Sequence, residues 1–288
     1  MTTIICYGHS HKEHEIPLLM MKSSDGYYHK DSCCFMFDTL KLQITAYDHF
    51  KSVKHDGIWM SHERTTEYLN RIKILSDGSL LYETLHDRLK LNVRQGLIRE
   101  IFSHDDIIRS VYEYDDMKHL IKIKVYQEKK LIRNVTFSWS NDFLVEVKDY
   151  ILGNPENSRV RNYLAIQCDS VQKNHSPELM TFFSGFDNIR NEILFMEMGM
   201  YGILPIGNSY TIWKRDNEDN EEIKKEYKVW SCYDQVFGQI SESISESSYH
   251  IKEYKYTWYR TNMQLLRKTL GLEKLGNCGS ADPLLLLR

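Results

Sequence analysis

Ile121-Lys122-Ile123-Lys124-Val125 alternates aliphatic and charged side chains with period two, and that alternation decides the fold class. In an extended chain successive side chains point to opposite faces. The three aliphatic residues therefore share a buried face while the two lysines meet water. Leu40, Leu42, Ile44 and Ala46, interleaved with Lys41, Gln43 and Thr45, repeat the pattern upstream. Phe143, Val145 and Val147, interleaved with Leu144 and Glu146, repeat it downstream. Half-buried antiparallel strands require this arrangement. Turn dipeptides separate the runs: Asp25-Gly26, Asp56-Gly57, Asp77-Gly78 and Asn141-Asp142. Asp-Gly favours hairpins because both residues tolerate positive φ. The clearest hairpin runs from Leu69 to Leu75, turns through Ser76-Asp77-Gly78-Ser79 and returns from Leu80 to Leu85.

The expected fold is β-rich, of α+β class: an antiparallel hairpin meander followed by a mixed part with a C-terminal helix. Gly153-Asn154-Pro155-Glu156-Asn157-Ser158 holds no apolar side chain and reads as the linker, dividing a β-rich part, 1–152, from a mixed part, 153–288, unless the two form one continuous domain. In the second part Ser176-Pro177-Glu178 reads as a helix start. Tyr259, Met263, Leu266 and Leu270 fall at helical spacing, with Gly271 as C-cap. Val236, Ile240 and Ile244 read as a shorter helical stripe. Both stripes read as core. Arg215 to Glu222 is a charged, solvated loop, and the chain closes on Pro283 and four leucines, Leu284 to Leu287.

Of the 288 residues 42% are hydrophobic and 27% charged, inside the globular range. Tyrosine is abundant at 19 copies and proline scarce at five, which suits strands. The net charge of −3, with basic clusters diluted by acids, argues against a nucleic-acid partner. No stretch approaches the ~18 apolar residues of a membrane helix, and the start, Met1 to Tyr7, reads as no signal peptide. No membrane is expected as a partner. Six irregularly spaced cysteines (Cys6, Cys33, Cys34, Cys168, Cys232 and Cys278) suit free thiols in a reducing cytosol, so the expected location is cytoplasmic.

Tyr112-Glu113-Tyr114-Asp115, followed by Leu120 and Ile123, resembles one YD repeat of the RHS family, with Lys118 where that pattern has glycine. Phe137-Ser138-Trp139-Ser140, with Leu144 and Val147 behind it, is a weaker echo, and the resemblance spans residues 112–150. It implies a β-hairpin meander. Through RHS-associated systems it also implies one form of function, an immunity protein that neutralises a toxin.

Ten of the twelve histidines precede residue 120. His9, His11, Glu13 and His14 resemble the His-x-His-x-Asp-His signature of the metallo-β-lactamase fold, with Glu13 in the aspartate position. That family uses those residues to hold two metals and activate water. Cys6 and His9 with His29 and Cys33, or Cys34, form a second metal-ligand set, near the spacing of a structural zinc site. The donor set is thus Cys6, His9, His11, His14, His29 and Cys33, against a reading of these residues as plain surface histidines. No cofactor is expected other than zinc at that set. There is no Gly-x-Ser-x-Gly elbow, no Gly-x4-Gly-Lys phosphate loop and no Gly-x-Gly-x-x-Gly. Adjacent acids such as Asp105-Asp106, Asp115-Asp116 and Glu221-Glu222 point apart on a strand. The sequence therefore favours a non-catalytic protein-binding protein of undefined oligomeric state, with a metal-dependent hydrolase built on the histidine cluster as the alternative.

Overall fold

A computed structural model of the chain describes residues 14–24, 30–51, 53–55, 58–60, 64–83, 88–103, 105–140, 143–152, 158–168, 195, 200–201, 209–216, 222–232, 235–245 and 248–272. The first strands are β1 (Glu15–Ser24), β2 (Lys30–Asp38), β3 (Gln43–Lys51), β4 (Val53–His55), β5 (Ile58–Met60), β6 (Arg64–Ile74), β7 (Leu80–Glu83), β8 (Arg88–Arg94) and β9 (Leu97–Phe102). They continue as β10 (Ile108–Tyr114), β11 (Leu120–Gln127), β12 (Lys130–Ser140), β13 (Phe143–Leu152) and β14 (Ser158–Cys168). After these come β15 (Ser209–Asp216), β16 (Glu222–Cys232), β17 (Gln235–Ser245), β18 (Ser248–Trp258) and one helix, α1 (Arg260–Thr269).

Sixteen of these strands form a closed antiparallel barrel in sequence order, and β4 and β5 form a separate pair. The ring closes where β1 meets β18, with Leu19 opposite Trp258 and Met21 opposite Tyr256. β13 pairs with β14 across the Gly153–Ser158 stretch, Leu152 opposite Ser158, so strands on both sides of it belong to one sheet.

Alternation sets the inside. Leu80 and Tyr82 of β7 lie opposite Leu91 and Leu89 of β8, and Tyr112 of β10 lies opposite Ile123 of β11, which lies opposite Val135 of β12. All seven are buried in one cluster that continues through Phe137 and Val147 and, on the other flank, through Leu19, Phe35 and Ile44. A buried row on β1 to β3 and β6 to β13 of a closed barrel lines its interior along those strands. Sixteen strands would enclose a channel unless something fills it. Phe195, Met200 and Tyr201, from the connection between β14 and β15, join this cluster, as do Met263, Leu266, Leu270 and Leu272 at α1. The Tyr82 and Phe195 rings meet edge to face at 5.2 Å, and the Ile98 backbone N–H donates to the Met200 carbonyl at 2.8 Å. Connections alternate between the two ends of an antiparallel ring. The β2–β3, β6–β7, β8–β9, β10–β11 and β12–β13 turns, the β14–β15 connection and α1 therefore share one end, the plugged end.

The helix follows its sequence pattern. Met263, Leu266 and Leu270 are buried, and Gly271 ends the helix at φ 68°. Asp77-Gly78 makes the expected tight turn, with Gly78 at φ 78° and the Leu75 N–H donating to the Ser79 carbonyl at 2.8 Å. Three expectations need correction. Val236, Ile240 and Ile244 lie in strand β17, not a helix. A spacing of four satisfies period two as well as period 3.6, so the stripe had two solutions. Leu40 and Leu42 are turn residues, both exposed, and β3 starts after them. Leu144 is buried and Val145 exposed, because the β12–β13 register slips between Ser138 and Trp139 and turns the alternation over. Among the described residues the second part is five strands and a terminal helix. The Ser176 helix start lies outside them.

Candidate functional site

Of the proposed metal donors, Cys6, His9, His11 and His29 lie outside the described residues, as does Glu13. His14 is exposed at the start of β1, where its carbonyl accepts from the Thr39 N–H at 3.1 Å. Cys33 is buried in β2, opposite Met21 of β1. Seven residues of strand separate His14 from Met21, roughly 23 Å at about 3.3 Å per residue, so His14 and Cys33 belong to different neighbourhoods. Among the described residues no three His, Cys, Asp or Glu side chains gather at metal-binding distance.

Two hydrogen-bonded pairs built on buried polar residues stand out instead, one on Asp149 and one on His119. Arg133 faces the interior and grips Asp149 with both arms of its fork, Nε to Oδ1 at 2.9 Å and Nη2 to Oδ2 at 3.1 Å. The Asp149 side chain is only 3% exposed. Such bidentate geometry compensates two desolvated charges and orients them, but it leaves no evident reactive group. The second sits in the β10–β11 turn. His119 is buried and stacks on Trp139, ring centroids 4.4 Å apart, with its Nδ1 2.9 Å from Asp115 Oδ2. Asp115 Oδ1 accepts the His119 backbone N–H at 2.8 Å, and the Trp139 indole N–H donates to the Leu120 carbonyl at 2.9 Å. Burial pushes the Asp115 carboxyl up, but the hydrogen bonds from the His119 ring and backbone, and that ring's charge, hold it below its ordinary value. Lys118 stands in this turn at φ 69°, a conformation that ordinarily selects glycine. A His–Asp pair can move a proton, but here both residues also tie the turn together, His119 to Trp139 and Asp115 to the backbone. Its geometry is that of a locked corner.

The feature that reaches solvent lies at the plugged end. Seven large apolar side chains are exposed among the described residues: Leu40, Leu42, Ile74, Ile107, Met117, Val145 and Leu265. All but Ile107 are at that end. Leu40 and Met117 project furthest, 69% and 61% exposed. The sequence hid this set because its members are far apart along the chain and share one end of the barrel only through its topology.

The outward wall has the opposite character. Glu83 pairs with Lys73 at 3.3 Å and with Arg88 at 2.9 Å, Lys90 with Asp77 at 2.9 Å, Lys124 with Glu113 at 2.5 Å, and Lys148 with Glu146 at 2.9 Å. Arg109 pairs with Glu100 and lies over the Phe102 ring, 5.6 Å from its centroid. On β7 to β13 the barrel thus carries ion pairs on its wall, most of them between neighbouring strands.

No family model matches the chain, and no curated protein does. Among solved structures, one described as a porin-like protein from Bacteroides uniformis is similar, with a TM-score of 0.57 over 85% of this chain and 96% of that one. The identity is 9%. What the two share is the barrel. A barrel that faces lipid carries an apolar band outside and polar groups within, and a lysine or arginine at mid-membrane on its outer face costs about 2–4 kcal/mol. On β7 to β13 this chain reverses the pattern, with Lys122 and Lys124 outward in mid-strand and Ile123 and Val125 buried.

Proposed function

We propose that this chain is a non-catalytic binding protein, a water-facing barrel that grips a protein partner with its plugged end. The observation that carries this is that exposed Leu40, Leu42, Ile74, Met117, Val145 and Leu265 all fall at one end of a barrel whose wall is charged on β7 to β13. Monomeric proteins seldom leave apolar side chains together without a use, and such sites mark interaction surfaces. The ion-pair lattice supports a wall in water rather than in lipid. The irregular spacing of the six cysteines suits a reducing compartment, in keeping with a cytoplasmic location. The narrowest form of the proposal is an immunity protein that neutralises a toxin, and its support is the YD-like hairpin at residues 112–150 alone.

Site-specific photo-crosslinking in the native cell tests the reading. A photoreactive residue at position 40, 117 or 265 should capture the same protein, and one at 122 on the wall or 107 at the far end should not. Equal capture at 122 and 40, or adducts with lipid alone, would remove the proposal.

A further inference from the structure

We draw no further inference here: the strongest candidate, the buried sulphur pair on the outward face of β2, where the Cys34 thiol donates to the Met36 thioether at 3.4 Å, rests on one cysteine, and no second feature among the described residues points to a ligand there.

Discussion

His119 Nδ1 lies 2.9 Å from the Asp115 carboxylate, across the turn that returns β10 to β11. The contact closes a corner in which the same carboxylate also caps the backbone and the imidazole lies against Trp139. The corner lies at the plugged end, in the same turn as exposed Met117.

That carboxyl gives the barrel an acid-side dependence. Its folded pKa is below its unfolded value, so its stabilisation is full above the unfolded value and is lost as pH falls through the folded one. Asp115→Asn should lower stability at neutral pH by about 1 kcal/mol, a figure kept small because the side chain is partly exposed. In paired melts from pH 7 downwards the gap between wild type and variant should shrink and vanish once Asp115 is protonated. A gap that persists unchanged in strong acid would mean that the carboxylate's charge has no part in it.

Arg133 and Asp149 should show the asymmetry of a buried pair. Arg133→Met leaves a carboxylate 3% exposed without its fork and should cost about 3–5 kcal/mol in denaturant unfolding. Arg133→Met/Asp149→Leu should recover most of that loss. A double variant as weak as the single one would show that the interior needs the charges themselves.

The Glu128-Lys129 turn between β11 and β12 has both residues at positive φ, 48° and 72°. This is the shape of a two-residue hairpin turn that prefers Asn-Gly. Glu128→Asn/Lys129→Gly should therefore stabilise the chain, by about 1 kcal/mol. A lower melting temperature would count against the assigned turn.

Leu266 is 1% exposed where α1 meets the barrel. Leu266→Ala should cost about 2–5 kcal/mol. A loss under about half a kcal/mol, the usual bound for surface changes, would put that face of the helix in solvent.

The sequence is most legible where structure is local. Ile123 and Val125 are buried on β11 as their alternation requires, Gly78 turns where Asp-Gly predicts, and α1 is capped at Gly271. It misleads where a bulge reverses the alternation, as at Leu144 and Val145, and where a spacing of four fits strand and helix alike, as at Val236 and Ile240. Gln95-Gly96 and Glu128-Lys129 turn without a strong dipeptide signal. Barrel closure was not legible, because pairing Leu19 with Trp258 depends on the twist and register of every strand between them. The candidate site was hidden for the same reason. Leu40, Met117 and Leu265 share no local pattern and reach the same end of the barrel only through topology.

On β7 to β13 the barrel is apolar within and carries ion pairs on its wall, the reverse of a membrane pore. Sedimentation velocity of the purified full chain, in plain buffer and again with a mild detergent, tests it most directly. The account predicts one sharp species in plain buffer that gains no detergent belt. Aggregation in buffer, with a discrete species appearing only when detergent is bound around the barrel, would contradict it.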